Sequence, residues 1–254
     1  MDGVIEPAWL LPALAAPFVG SFLGLLIVRL PAGEGVVWGR SGCRSCGRAL
    51  GARDLVPVVS WLCALGRCRY CHVRLGWFYP GIELAALGVV LWAAAVSSGW
   101  LFWASCGLGW TLLALAVIDH RKFVLPDVLT LPLVPAGVAV AGLIDPALLP
   151  HHLMGALAGF AGFAGVGWCY GRLRGRDGLG LGDAKLLAAA GAWVSWVGLP
   201  SVVLLAGAAA LALAFAGAAV RGGGLPAADR PIAFGPYLAL ATWLVWLHGP
   251  VVIG

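Results

Sequence analysis

Two carboxylates stand where this chain is otherwise apolar. Asp183 lies in Gly180-Leu181-Gly182-Asp183-Ala184-Lys185, between the apolar runs Gly155 to Tyr170 and Leu186 to Val220. Asp119 ends the apolar run Trp100 to Ile118. An ionisable group at membrane depth is costly unless it faces a wet cavity or a partner, so each marks a functional site by default. Brought together, two carboxyl groups a few ångströms apart cannot both ionise easily and share a proton. Such a pair can act as general base and general acid at once. Gly180 and Gly182 let the backbone turn sharply and come close to a bound strand, and Lys185 adds an ammonium. Asp183 also reads as an N-cap of the helix that follows, since Asp is favoured there. Asp119 has no such explanation: it closes a helix, where the dipole disfavours a negative charge.

Other acidic residues are weaker candidates. Pro126 followed by Asp127 is a helix-start signal, so Asp127 reads as a cap, with a supporting role at the site as the alternative. Glu83 falls near the start of an apolar run, where it suits a helix N-terminus, with binding of a substrate amine as the alternative. His151-His152 reads as interfacial.

Cys43-Arg44-Ser45-Cys46 and Cys68-Arg69-Tyr70-Cys71 are two C-x-x-C pairs with 21 residues between them. That spacing fits a tetrahedral thiolate site for structural zinc. Gly47 and Gly66 suit the tight turns of such knuckles. Two disulfides are the competing reading, and a catalytic zinc is disfavoured because four thiolates leave no open position. Cys63, Cys106 and Cys169 stand alone in apolar surroundings and read as small core residues.

The elements that must position these groups are membrane helices. The chain has 254 residues, 61% hydrophobic and 11% charged, with a mean hydropathy of +0.96; a soluble domain carries about 25% charged residues. Runs long enough to span are Trp9 to Leu30, Tyr79 to Val96, Trp100 to Ile118, Val128 to Ile144, His152 to Tyr170, Ala184 to Val197, Ser201 to Val220 and Pro236 to Ile253, making eight. Met1 to Pro7 is acidic and no small-residue cleavage site follows, so the first run reads as a permanent span. The fold expected is all-α: a first helix (1–30), a cytoplasmic four-cysteine insert (31–78) and a seven-helix membrane domain (79–254).

The net charge of +5 does not require nucleic acid. Counted by connection, the first holds eight basic residues, the third two, the fifth four with Lys185 at its edge, and the seventh two, which is every Lys and Arg. The positive-inside rule then puts the odd connections in the cytoplasm and both termini outside. It puts the four-cysteine insert where thiols stay reduced, which favours zinc over disulfides. Asp119 and Asp183 both border cytoplasmic connections. The Arg-rich insert reads as a juxtamembrane charge set facing anionic lipid.

With these residues in view, the chain resembles the prepilin peptidases, the bacterial inner-membrane enzymes that process type IV pilus prepilins and the pseudopilins of type II secretion. The resemblance rests on Gly20-Ser21-Phe22-Leu23 with Arg29-Leu30-Pro31, the two C-x-x-C pairs, and Asp54 to Trp61 between them. It continues through Tyr79-Pro80 with Glu83-Leu84, Ile118-Asp119, Leu125-Pro126-Asp127, the G-x-G-D-x-K stretch and Phe234-Gly235-Pro236-Tyr237. It implies an aspartic endopeptidase with Asp119 and Asp183 as the catalytic pair, and Cys43, Cys46, Cys68 and Cys71 as zinc ligands. It also implies a second activity in some members, N-methylation of the new terminus with S-adenosylmethionine, associated with the insert. Gly24 stands where the family often has Asn, beside that insert. The alternative from another class is a proton-coupled transporter, which would need carboxylates near the midplane and an inverted repeat; neither is visible.

Overall fold

A membrane interior offers no partner for a backbone N–H or C=O, so an apolar chain must close its hydrogen bonds within each segment. The computed structural model does so, and describes residues 9–36, 41–175, 179–220 and 232–251. The helices among these residues are α1 (Leu10–Arg29), α2 (Val59–Cys63), α3 (Phe78–Val96), α4 (Gly99–Lys122), α5 (Asp127–Ile144), α6 (Leu149–Arg174), α7 (Leu181–Val220) and α8 (Gly235–His248). Six helices among the described residues are long and apolar enough to cross a membrane. The expected all-α architecture is present, with only isolated β-bridges among the described residues. Arg40, Arg176, Arg221 and Arg230, which entered the charge count, lie outside those residues.

Helical segments follow the order of the eight expected runs, with two differences. At 40 residues α7 would run about 60 Å if straight, twice the hydrocarbon thickness. It is instead two segments divided at Ser195, whose φ of 61° and ψ of 176° are not helical. The sequence suggests a division at Leu199-Pro200, but tertiary contacts set the break earlier. Ser195 Oγ accepts the Val197 N–H and so caps the second segment. His152 Nδ1 lies 2.9 Å from the Ala192 carbonyl, one turn before the break. The second difference is α8, which at 14 residues is shorter than the expected run to Ile253.

The chain forms two compact units, residues 1–114 and 115–254. In the first, α1 packs along α3. A Cβ on Gly20 would sit 2.5 Å from Glu83 Cα, so only glycine permits that approach. The indole of Trp110, in α4, donates to the Ala86 carbonyl of α3 at 3.0 Å. In the second unit, α7 is the hub, packed on α5, α6 and α8. Gly155 and Gly159 of α6 meet the α7 backbone so closely that a Cβ on either would lie 2.5 Å from the Gly191 or Leu187 carbonyl. Small residues make such contacts possible where there is no hydrophobic force between helices.

Candidate active site and metal centre

The site in the second unit starts from three helix ends. α4 brings Asp119 to its last turns, and its side chain is 6% exposed. α7 begins at Leu181 and carries Asp183 in its first turn. The charge of Asp119 acts on the Asp183 carboxyl. α8 supplies the third component. Its first-turn amides can be accounted for singly: Pro236 has none, while Tyr237 and Leu238 bond back to the Phe234 carbonyl at 3.1 Å. The Gly235 N–H is left to donate to Asp119 Oδ2, at 2.9 Å. A Cβ on Gly235 would stand 2.7 Å from that oxygen. So each carboxylate is met by a helix N-terminus, Asp183 by its own helix and Asp119 by α8. Asp183 Oδ1 is buried with no hydrogen-bond partner among the described residues.

The flanking residues depart from expectation. Asp127 does not cap α5: the N-cap is Pro126, and no side-chain cap bond is present. Its carboxylate takes the Lys185 ammonium instead, at 2.7 and 2.9 Å. That tie crosses 58 residues of sequence, so no local pattern announces it. Gly182 is also used differently. Its open face is filled by Leu125, whose Cβ would be 3.1 Å from an added methyl, so it serves packing. Gly180 remains exposed, with room for a bound strand. Gly235 belongs to the sequence motif without a role assigned there; its signal is only that Pro follows it at a helix start.

In the first unit Glu83 is buried, 5% exposed, and does not cap its helix. It accepts the Val58 N–H at 2.7 Å, which ties the insert to α3. Val58 has a φ of 59°, a conformation that needs such an anchor. Gly24 leaves the space that the Tyr79 ring fills, with Cδ1 3.0 Å from where a Cβ would be. An Asn there would have to displace that ring.

The insert folds as two matched knuckles. In the first, Cys43 N–H donates to the Arg48 carbonyl at 3.0 Å and Gly47 N–H to the Cys43 carbonyl at 2.8 Å. In the second, Cys68 N–H donates to the Val73 carbonyl at 2.8 Å and His72 N–H to the Cys68 carbonyl at 2.9 Å. Gly47 and His72 take the same left-handed position, with φ of 69° and 57°. The four sulfurs of Cys43, Cys46, Cys68 and Cys71 all lie within 4.8 Å of one another. Cys43 and Cys71 are 3.9 Å apart. A tetrahedral thiolate centre with bonds of about 2.3 Å puts its sulfurs about 3.8 Å apart. The cluster therefore has the dimensions to hold a metal ion. Backbone amides of Cys46 and Ser45 pull the Cys43 thiol from its ordinary value of 9.0 down to about 6, while burial and the neighbouring cysteines push Cys71 up to about 11, so the crowded sulfurs do not all ionise alike. All seven cysteines are free thiols. Of the three outside the cluster only Cys106 is a core residue; Cys63 and Cys169 are exposed, at the end of a short helix and on the open side of α6.

Comparison with known proteins finds family matches over both parts of the chain. The bacterial peptidase A24 N-terminal domain matches residues 14–97, and the type IV leader peptidase family matches residues 106–215. Curated relatives named prepilin leader peptidase/N-methyltransferase include one from Aeromonas hydrophila, 38% identical over 91% of this chain and 87% of its own length. Another, from Burkholderia pseudomallei, is 42% identical over 83% of this chain and 67% of its own. A third, from Pseudomonas aeruginosa, is 34% identical over 91% and 87%. No solved structure matches. The first match takes in the thiolate cluster and the second takes in both carboxylates, and with relatives aligned over nine-tenths of its length the chain belongs to the type IV leader peptidase family.

Proposed function

We propose that this chain is an inner-membrane endopeptidase that removes the leader from type IV prepilins or related pseudopilins, using Asp119 and Asp183. The observation that supports this most directly is the placement of two carboxyl groups at helix ends of one unit: Asp119, almost fully buried and bonded to the Gly235 amide, and Asp183, in the first turn of α7 with a buried oxygen that has no partner among the described residues. In the reaction the ionised carboxylate takes a proton from water as its oxygen attacks the scissile carbonyl carbon. The protonated carboxyl gives its proton to the carbonyl oxygen. Collapse of the tetrahedral species breaks the C–N bond as the first carboxyl protonates the leaving amine, and the second carboxylate takes back a proton from the gem-diol hydroxyl, which restores the shared proton. Exposed Gly180 offers space for an extended backbone, and the Lys185–Asp127 pair braces the start of α7 against α5. A transporter is not supported, since the relatives carry peptidase names.

Both termini lie in the periplasm and the site at the cytoplasmic face in this reading, which the positive-inside count supports. The metal of the cluster is zinc, held by Cys43, Cys46, Cys68 and Cys71 in a structural role. The relatives' names include N-methyl transfer, whose donor is S-adenosylmethionine. A cavity of about 420 Å³ in the first unit is lined by Trp61, Tyr70, Tyr79, Asp54, Glu83 and Arg69, among others. That volume is within the ~300–1,000 Å³ of small-molecule sites. Aromatic faces suit an adenine and a sulfonium, and the carboxylates suit an amine. When bound, the donor supplies the methyl group; the chain's part is to hold it there. Purified protein incubated in detergent with a prepilin should release the leader. An uncut substrate under conditions where a relative cuts it would overturn the assignment.

A further inference from the structure

The amide of Gly235 has no part in the reaction as written above, yet it donates directly to one of the two carboxylates. Three observations converge on it. It is the first-turn amide of α8 that has no acceptor within its own helix. It donates to Asp119 Oδ2 at 2.9 Å in a buried setting. The residue must be glycine, because a Cβ would stand 2.7 Å from that oxygen and 2.9 Å from Asp119 Cγ. Opposite it, Asp183 Oδ1 is buried without a donor among the described residues.

Resting on the dyad reading, the geometry points to Gly235 as the positioning residue of the pair: its amide fixes Asp119 as the ionised base and leaves the shared proton on Asp183. A hydrogen bond to the charged form favours that form. A buried carboxylate oxygen with no donor is costly, whereas a protonated carboxyl can donate outward instead. The end of the α4 dipole opposes charge on Asp119, but a charge-assisted bond outweighs a helix-end dipole. The other groups acting on the pair are few among the described residues. His120 acts on Asp119, and the Gly180 amide acts on Asp183. Lys185, two residues beyond Asp183, is engaged by Asp127. The proton path follows: water gives its proton to Asp119, Asp183 gives its proton to the carbonyl oxygen, Asp119 passes the first proton to the leaving amine, and Asp183 takes a proton back from the gem-diol hydroxyl as the carbonyl re-forms.

The test uses full-length protein in nanodiscs, with prepilin cleavage followed across pH. Gly235→Ala drives a methyl against Asp119 and should lower kcat on the order of 100-fold with KM little changed. Replacing residue 235 by glycolate, which turns the amide into an ester, deletes only the N–H and keeps the shape. It should move the acid limb of the kcat/KM profile to higher pH by about one unit, a shift that a merely structural role would not produce. If the ester keeps the wild-type limb and kcat while Asp119→Asn is dead, Gly235 does not position the dyad and the inference is overturned. If Asp119→Asn is itself active, the dyad reading fails first and the inference with it.

Discussion

Stripping the metal from the four-cysteine insert should unfold the insert and leave the membrane helices standing. The structural reason is how little else holds residues 41–77. They contain one α-helix of five residues and two isolated bridges, Gly42 with Ala49 and Arg67 with Arg74. Beyond short-range backbone bonds, the hydrogen bonds made by side chains are Glu83 to the Val58 N–H, Trp61 Nε1 to the Gly76 carbonyl at 2.9 Å, and Asp54 to the Gly51 N–H and the Tyr70 hydroxyl, each at 3.1 Å. Bonds of this kind contribute about 0.5–3 kcal/mol each, the upper part of the range for those to carboxylates, and the Trp61–Trp77 ring contact about 0.5–1.5 kcal/mol more. A structural zinc on thiolates contributes roughly 10–16 kcal/mol to folding. Losing it exceeds any single remaining tie several times over, while ordering each residue costs about 1–2 kcal/mol. Limited trypsin digestion reads this out, because Arg44, Arg48, Arg53, Arg67, Arg69 and Arg74 lie inside the segment. Metal-replete protein should resist cutting there. Protein treated with a strong chelator, or carrying Cys68→Ser with Cys71→Ser, should be cut at these sites first. Metal analysis of the untreated protein should give about one zinc per chain. An insert equally resistant with and without metal would refute the reasoning.

Two further outcomes follow from the structure. Lys185 and Asp127 are 29% and 54% exposed in their side chains, and an exposed pair contributes about 0–1 kcal/mol. Asp127→Asn and Lys185→Met should therefore each keep more than about a fifth of the wild-type kcat/KM; a hundredfold loss in either would put that residue in the chemistry. A reporter active only in the periplasm should be active when fused after Ser98 or at the C-terminus and silent when fused near Gly224; the opposite pattern would reverse the proposed topology.

Much of the fold is legible in the sequence because hydropathy and charge placement speak directly to spans and their order. The thiolate cluster is legible too, since C-x-x-C spacing dictates knuckle geometry wherever the two pairs meet. What stays hidden is anything fixed by contacts between distant segments. The break in the long helix falls at Ser195 because Gly155, His152 and the serine's own hydroxyl converge there, and the local proline signal at Pro200 is overridden. Asp127 looks like a cap because Pro-Asp starts helices; its partner is Lys185, on another helix. Glu83 looks like a helix-start residue, and its neighbour is the strained backbone of Val58 in the insert. Gly235 sits 116 residues from Asp119, so its amide at the carboxylate is found only in three dimensions.

The most direct test of the account is the pair of isosteric variants, singly and together, assayed on a prepilin. Asp119→Asn and Asp183→Asn keep side-chain shape and remove the ionisable group, so both should insert in the membrane and carry zinc as wild type does. Each should lose cleavage by on the order of 10⁴-fold or more, and the double variant should be no worse than either single one, because members of a catalytic unit are grossly non-additive. Wild-type cleavage by Asp119→Asn or by Asp183→Asn would contradict the claim that the two carboxylates form one aspartyl site.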